Sequence, residues 1–293
     1  MLKHKIIVLT GCTASGKSSI GIKLAKKIDA VIINADSRQI YKELTIGTAK
    51  PIPDTIKGKI YYIENIPHYL YSTVSVKEEY NIYQYQKDVK EILKKIPTTT
   101  PIILLGGTGL YIDSIIKNFQ LKETVDKRNY DIYSISQFKK MVGSSKLKQL
   151  NESDRENPRR LIRILQKSAS KENINTTQPL NHIYIVVDVE KDILNKNIEK
   201  RVEQMFENGL LKENEELRKK GLNRYRGFRT IGYQEFDKYF SERRDLVEIK
   251  KEIINHTRQY AKRQRTWFRR NKNAIWCKTF DEILANVQKY IIS

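Results

Sequence analysis

Short apolar runs rich in β-branched residues recur along the chain and predict the strands of a sheet. They cover residues 5–10, 30–35, 102–105 and 183–187. Helical patterns follow most of these runs. Because this alternation is typical of parallel sheets covered by helices, it predicts an α/β fold with a doubly wound parallel sheet.

Three segments predict helices, and two of these helices carry an apolar face. In the first, Ile20, Leu24 and Ile28 recur every four residues, which is the spacing of a helical stripe. A second helix is predicted over residues 81–96 and a third over residues 192–207. The third helix carries four apolar residues on one face, namely Leu194, Ile198, Val202 and Met205.

The chain of 293 residues is long for one compact unit. Residues 120–181 carry no strong strand signal, and we interpret them as a mostly helical insertion domain. Residues 1–119 and 182–293 then form the catalytic core, which ends in C-terminal helices.

The composition, with 39% hydrophobic and 30% charged residues, is typical of a globular protein. No apolar run approaches the ~18 residues of a membrane span, so we expect a cytoplasmic protein with no membrane partner. Cys12 and Cys277 are too few for a disulfide framework and too far apart for a C-x-x-C metal pair. Four scattered histidines argue against a zinc site or a Ser-His nucleophile.

Positive charge dominates the chain. Lysine and arginine number 55 against 34 acidic residues, which gives a net charge of +21. This excess favours a polyanionic partner, with nucleic acid as the first candidate. A lysine-rich compositional bias is the alternative, because net charge does not identify a site.

A phosphate-loop motif, G-x-x-x-x-G-K-[ST], lies between the first predicted strand and the first predicted helix, which is the context it requires. Its residues are Gly11, Cys12, Thr13, Ala14, Ser15, Gly16, Lys17 and Ser18. Glycines let backbone N–H groups surround phosphate oxygens, Lys17 adds a positive charge, and the Ser18 hydroxyl can hold Mg²⁺. The motif therefore predicts binding of a di- or triphosphate.

Two further predicted strands end in polar or glycine-rich residues. Asp36 follows the second strand, and Gly106, Gly107, Thr108 and Gly109 follow the third. Because the carboxyl ends of parallel strands line the ligand crevice, we expect both segments beside the phosphate loop. Asp36 there can hold Mg²⁺ or act as a general base; a capping role in the next segment is the alternative.

Residues 257–270 contain six cations and no acid. As a helix, the segment carries four cations on one stripe, namely Arg258, Lys262, Arg265 and Arg269. Tyr260 and Trp267 fall roughly opposite. Aromatics interleaved with arginines suit contacts to RNA, and a solvated helical face is the alternative. A smaller basic cluster contains Arg159, Arg160 and Arg163.

Seven segments occur in a characteristic order over nearly the whole chain: residues 11–18, 34–41, 46–51, 66–68, 106–111, 231–233 and 258–269. In that order they resemble the tRNA dimethylallyltransferases, also called isopentenyltransferases. Two positions depart from the family pattern: Cys12 stands where proline is usual, and Arg159 where glutamine is usual.

The resemblance implies a P-loop NTPase-like core that transfers a dimethylallyl group from dimethylallyl diphosphate to a tRNA. The acceptor would be the exocyclic amine of the adenosine just 3′ of the anticodon. It also implies Mg²⁺ as cofactor, the tRNA anticodon stem-loop as partner, and a monomer. The phosphate loop would then hold a leaving group.

Residue roles follow from the same resemblance. It implies that Asp36 is the general base, that Lys17 and Arg201 contact the diphosphate, and that Thr108 contacts the target nucleotide. The implied tRNA contacts are Asp36, Ser37, Arg38, Gln39, Arg159, Arg160, Arg163, Arg229, Thr230, Gly232, Tyr233, Arg258, Lys262, Arg263, Arg265, Trp267 and Arg269.

Three alternatives share some of these features. A small-molecule kinase, or an isopentenyltransferase acting on free adenine nucleotides, would use the phosphate loop but not the basic helix. A non-catalytic nucleotide-gated RNA-binding protein would use both without a covalent product. Cys12 raises a separate question: a thiol among backbone donors and beside Lys17 is either a reactive thiolate or an inert, packed side chain.

Overall fold

The computed structural model describes residues 4–121, 133–169, 178–242 and 244–292. The chain divides into two compact units. The core unit combines Met1–Asn118 with Gln178–Ser293, and the insertion unit is Phe119–Thr177. The insertion expected from the sequence covers residues 120–181.

The core unit contains one sheet, which has eight strands in the described residues. They are β1 (Ile6–Gly11), β2 (Val31–Asn34), β3 (Thr55–Lys57), β4 (Ile60–Ile63), β5 (Ile66–Tyr69), β6 (Ile102–Gly106), β7 (His182–Val187) and β8 (Ile275–Cys277). Their order is β3-β4-β5-β2-β6-β1-β7-β8. The neighbours from β5 to β8 are parallel, whereas β3, β4 and β5 pair antiparallel. The predicted doubly wound parallel sheet is thus confirmed, with an antiparallel extension at one edge.

The central strand β1 shows why the sheet is buried on both faces. Its side chains alternate, so Ile6 and Val8 join one apolar cluster while Ile7 and Leu9 join the other. All four are buried. A parallel strand covered by helices on both faces therefore has a continuous apolar sequence, and this is the signal that predicted it.

In the described residues twelve α-helices surround or follow the sheet. They are α1 (Lys17–Ile28), α2 (Ile82–Lys95), α3 (Gly109–Ile116), α4 (Ile135–Val142), α5 (Ser144–Lys148), α6 (Glu152–Arg155), α7 (Pro158–Ala169), α8 (Lys191–Glu207), α9 (Leu210–Lys219), α10 (Phe236–Glu242), α11 (Leu246–Phe268) and α12 (Phe280–Ile292). None of these helices is long and apolar enough to cross a membrane.

The predicted helices begin and end close to the observed ones. α2 starts after Asn81, whose side chain accepts hydrogen bonds from the Tyr83 and Gln84 amides as an N-cap. In α8 the four predicted apolar positions, Leu194, Ile198, Val202 and Met205, are all buried. The apolar stripe was thus a sufficient signal for α8, whereas α2 is marked by its capping residue.

The insertion unit contains the four helices α4 to α7. Phe138, Val142 and Leu161 form its small apolar core. Ser134 caps α4 by accepting from the Gln137 amide. Residues 122–132 and 170–177, which belong to the sequence predicted as helical, lie outside the described residues.

Candidate active site

The phosphate loop connects the last residue of β1 to the first residue of α1. Ala14 and Gly16 both have left-handed backbone angles, with φ of 61° and 80°. Such alternation of backbone handedness turns successive N–H groups toward one point, which makes a concave anion site. The start of α1 adds its unsatisfied N–H groups to the same place.

Lys17, at the start of α1, reaches back over this loop. Its ammonium donates a hydrogen bond to the Cys12 carbonyl at 3.3 Å. Burial lowers the pKa of Lys17 to about 8, against the attraction of Asp36, and Arg201 lowers it further. A desolvated ammonium gains strongly from a bound anion, so the loop is prepared to bind phosphate.

Asp36 lies just beyond β2, where the backbone leaves the sheet. The Asn34 side chain fixes this exit, because its Oδ1 accepts from the Asp36 amide at 2.9 Å and its Nδ2 donates to the Leu70 carbonyl at 2.9 Å. Asp36 Oδ1 accepts from the Arg38 amide at 2.9 Å. Asp36 therefore makes a local turn bond, and it also lines the pocket described below.

Thr108 lies at the exit of the neighbouring strand β6 and is joined to the segment after Asp36. Its Oγ1 accepts from the Ser37 amide at 3.0 Å and donates to the Ser37 hydroxyl at 3.2 Å. Gly106 makes this approach possible, because a Cβ there would lie 2.2 Å from the Ala35 carbonyl carbon. The two strand exits predicted to meet are thus in direct contact.

Arg201 projects from α8 toward the same place. Its Nη2 donates to the Thr48 carbonyl at 3.2 Å. The buried Gln39 side chain donates to that carbonyl at 3.1 Å and to the Ala49 carbonyl at 3.1 Å. Burial lowers the pKa of Arg201, and Asp36 opposes this effect.

These side chains line one pocket. Its lining residues are Thr13, Lys17, Ser18, Asp36, Gln39, Ala49, Tyr71, Leu105, Gly106 and Arg201. The pocket therefore combines the phosphate loop with two cations and one carboxylate. Cations beside a carboxylate can hold an anionic leaving group next to a proton acceptor.

The four cations predicted as a basic stripe on α11 do not all face solvent without an acidic partner. Arg258 is ion-paired with Glu199, and Arg265 with Asp188. Lys262, Arg263 and Arg269 are exposed. The four-cation stripe thus splits into two arginines with acidic partners within the chain and two cations, Lys262 and Arg269, that face solvent; Arg263 is a third exposed cation beside the stripe.

Two aromatic residues of α11, Tyr260 and Trp267, lie close to the carboxyl ends of β2 and β6. Trp267 is half-buried against Gly109, where a Cβ would lie 2.2 Å from the indole Cδ1. Burial raises the pKa of the Tyr260 hydroxyl, to which Asp36 and Thr108 are neighbours. α11 therefore also contributes side chains beside the carboxyl ends of β2 and β6.

The segment from Arg229 to Tyr233 is largely buried. Thr230 donates to the Gly227 carbonyl at 3.0 Å, and the Tyr233 hydroxyl donates to Glu213 at 2.8 Å. Gly232, with φ of 92°, is also buried, whereas the Arg229 side chain is exposed. Among these four predicted tRNA contacts, only Arg229 offers an exposed side chain.

In the insertion unit, Arg159, Arg160 and Arg163 lie on α7. Arg160 is exposed, and its Nε is 3.3 Å from Asp154 Oδ1. The side chains of Arg159 and Arg163 lie outside the described part of the structure.

The chain is similar to known proteins over nearly its whole length. The IPP transferase family model matches residues 39–271. A tRNA dimethylallyltransferase of Rippkaea orientalis is 32% identical over 305 residues, and the match covers 98% of each chain. One of Acholeplasma laidlawii is 33% identical over 299 residues, covering 98% of this chain and 99% of its own.

This chain belongs to the tRNA dimethylallyltransferase family. The crystal structure of the full-length tRNA isopentenylpyrophosphate transferase of Bacillus halodurans has the same fold, with a TM-score of 0.73 at 27% identity. That match covers 99% of this chain and 96% of the other. The resemblance inferred from the sequence is thus confirmed.

The oxygen atoms in this site suit a magnesium ion that takes most of its ligands from substrate phosphates and water. In the described residues no group of three or more His, Cys, Asp or Glu side chains could hold a metal. Mg²⁺, however, keeps several waters and needs one or two protein oxygens beside substrate phosphates. Ser18 lines the pocket, and its hydroxyl oxygen meets this requirement.

Gln264 is a site residue that the sequence did not indicate. It is buried on α11, where its Oε1 accepts from the Thr13 amide at 2.8 Å and its Nε2 donates to the Gly107 carbonyl at 2.9 Å. One side chain thus joins the phosphate loop to the β6 exit. Because Gln264 lies between Arg263 and Arg265 in a basic segment, the sequence carries no local signal for this role.

Cys12 is packed within the core unit. Its thiol is buried beside Leu194, Ile198 and Ala261 and donates to the Ala261 carbonyl at 3.4 Å. Burial raises the pKa of Cys12 despite the nearby Arg265 and Lys17. Of the two alternatives for this thiol, the structure favours the packed, inert one.

Proposed function

We propose that this protein transfers the dimethylallyl group of dimethylallyl diphosphate to the exocyclic N6 amine of the tRNA adenosine just 3′ of the anticodon. The C–O bond to diphosphate breaks, the C–N bond forms, and the amine loses one proton. The products are N6-dimethylallyladenosine, diphosphate and a proton. The observation that carries this proposal is family membership together with a pocket that combines Lys17, Arg201 and Asp36.

The phosphate loop and its cations act on the leaving group in this proposal. As the C–O bond breaks, negative charge grows on the diphosphate oxygens. Lys17, Arg201 and the loop N–H groups stabilise that charge, and preorganised donors of this kind supply a large part of catalysis. Mg²⁺ fits the Ser18 hydroxyl and would supply further charge neutralisation when bound.

Asp36 acts on the acceptor. An adenine amine shares its lone pair with the ring, so a base that takes its proton as the C–N bond forms restores nucleophilicity. The turn bond from the Arg38 amide holds one Asp36 oxygen and fixes the orientation of the carboxylate. In this proposal Thr108, which is hydrogen-bonded to Ser37, contacts the target nucleotide.

The tRNA partner suits the charge of the chain. The anticodon loop must release the target base from its stack before the amine can enter the pocket. Exposed cations on α11, Lys262, Arg263 and Arg269, offer phosphate contacts close to the half-buried Trp267. A kinase or a free-adenylate isopentenyltransferase would have no use for this face.

We propose that the protein acts as a monomer. Because its substrate is tRNA, we also propose action in the cytoplasm.

A labelled-donor experiment tests the proposed function. The protein is incubated with Mg²⁺, an anticodon stem-loop, free AMP, and either dimethylallyl diphosphate labelled in the allyl group or ATP labelled in the γ-phosphate. We expect acid-stable label in RNA only from the allyl donor. Label from ATP, transfer to free AMP but not to RNA, or RNA binding without any label would each support one of the rivals instead.

A further inference from the structure

One carboxylate outside the pocket holds a turn whose following residue, Thr48, is hydrogen-bonded to the pocket residues Arg201 and Gln39. Glu213, on α9, accepts hydrogen bonds from three successive backbone amides. Thr45 N is 2.9 Å from Oε1, Ile46 N is 3.1 Å from both carboxylate oxygens, and Gly47 N is 3.3 Å from Oε2. Bonds to an ionised acceptor are stronger than neutral ones, so Glu213 fixes this turn firmly.

Tyr233 closes the arrangement from the other side. Its hydroxyl donates to Glu213 Oε2 at 2.8 Å and accepts from the Gly47 amide at 3.1 Å. The fit is close, since a Cβ on Gly47 would lie 2.5 Å from Tyr233 Cε2. The turn at residues 45–47 is therefore clamped between one carboxylate and one phenol.

The clamped turn leads directly to Thr48, whose carbonyl faces the pocket residues. That carbonyl accepts from Arg201 Nη2 at 3.2 Å and from Gln39 Nε2 at 3.1 Å. The Thr48 hydroxyl bonds back to the Leu44 and Thr45 carbonyls, each at 3.0 Å, so Thr48 cannot shift independently of the turn. The position of the Arg201 guanidinium thus depends on the turn that Glu213 holds.

From this continuous chain of contacts we infer that Glu213 is a positioning residue for the diphosphate grip, acting through the Thr48 carbonyl on Arg201. The inference rests on the proposed function, in which Arg201 holds the diphosphate. Glu213 does not line the pocket, and its effect on the leaving group passes through Arg201. In metal sites, loss of a residue that orients a metal ligand typically costs about 10–100-fold in affinity or activity, and we expect a loss at the lower end of that range here.

A double-mutant cycle with inorganic diphosphate and Mg²⁺ tests this coupling. Calorimetric titration measures the dissociation constant for wild type, Glu213→Gln, Arg201→Ala and the double variant. We expect Glu213→Gln to weaken binding about 10-fold in wild type, and by less than about 2-fold once Arg201 is absent. Equal weakening in both backgrounds would show that Glu213 acts independently of Arg201 and would overturn the inference.

Matched variants separate positioning from folding. Glu216→Gln makes the same charge change at an exposed position of the same helix, and we expect wild-type affinity. Tyr233→Phe removes one bond to Glu213 and keeps the ring that contacts Phe228, so it carries the test if Glu213→Gln does not fold. We expect Tyr233→Phe to cause a smaller loss in the same direction. Unchanged diphosphate affinity in folded Glu213→Gln or in folded Tyr233→Phe would contradict the inference.

The same cycle distinguishes this inference from the proposed function. If Arg201→Ala leaves diphosphate affinity unchanged, the proposed contact between Arg201 and the diphosphate is wrong. If Arg201→Ala weakens binding while Glu213→Gln adds the same loss in either background, only the positioning role is wrong. In steady state, a positioning role predicts a raised KM for dimethylallyl diphosphate with an unchanged KM for the stem-loop.

Discussion

Asp36 and Lys17 line the same pocket with opposite charges. Burial lowers the pKa of Lys17 to about 8, and the Asp36 carboxylate is the largest opposing influence. The cation that we propose for the leaving group and the carboxylate that we propose as base thus line one pocket. The pairing explains how one pocket can stabilise developing negative charge and still accept a proton.

Asp36→Asn keeps size and polarity but cannot take the amine proton. We expect the single-turnover rate of transfer to fall roughly 10²–10⁴-fold, while stem-loop affinity stays close to that of wild type. Rapid-quench measurement at saturating substrates checks the rate. A near-wild-type rate would remove Asp36 from the chemical step.

Diphosphate affinity should depend on pH through Lys17. Because the protonated ammonium binds the anion and its pKa in the free protein is about 8, affinity is greatest below that pH and falls as the pH rises through it. Lys17→Arg keeps the charge across this range, so the difference between the two pH profiles isolates Lys17 from the titration of the ligand. Parallel profiles would contradict the assignment.

The bridge made by Gln264 predicts a loss of stability. In Gln264→Glu the carboxylate still accepts from the Thr13 amide but places an oxygen against the Gly107 carbonyl. We expect unfolding free energy to fall by about 1–3 kcal/mol. The control Gln259→Glu, exposed on the same helix, should stay within about 0.5 kcal/mol. Equal effects in denaturant titrations would show that the bridge contributes nothing specific.

Exposed and ion-paired cations of the basic stripe should respond differently to substitution: the first should affect tRNA affinity and the second should affect stability. Replacing Lys262 or Arg269 by alanine should reduce the log–log salt slope of tRNA affinity by roughly 0.7–0.9 per lost phosphate contact. Arg265→Ala should instead destabilise the fold, because it leaves Asp188 without its cation. An unchanged slope in both exposed-cation variants would favour a merely solvated helix face.

The buried thiols predict slow chemical modification. Cys12 and Cys277 are both free and buried, and burial raises the pKa of each. A thiol-specific reagent should label two groups per chain after unfolding and very few over the same interval in the native protein. Rapid labelling of native wild type that disappears in Cys12→Ala would instead identify a reactive loop thiol.

The sequence predicted those parts of the fold whose signal is local. β1, β6 and β7 are continuous apolar runs because helices cover both faces of the sheet. β3 was missed because all its residues are exposed, and β8 because it has only three residues. Neither strand has a periodic apolar pattern long enough to detect.

The candidate site likewise contains residues that the sequence indicated and residues that it did not. The phosphate loop and Asp36 have recognisable sequence contexts at strand ends, so the sequence indicated them. Gln264 and Glu213 act over separations of more than 150 residues along the chain. Their roles depend on which helix packs against which loop, and a polar residue within a charged helix carries no sign of that contact.

The mass of the RNA product tests the central claim most directly. The protein is incubated with dimethylallyl diphosphate, Mg²⁺ and an anticodon stem-loop, and with a matched stem-loop in which purine riboside, lacking the exocyclic amine, replaces the adenosine 3′ of the anticodon. Nuclease digestion and mass spectrometry should find that adenosine heavier by one C5H8 unit and the analogue unchanged. Equal modification of both stem-loops, or modification of neither, would contradict the account.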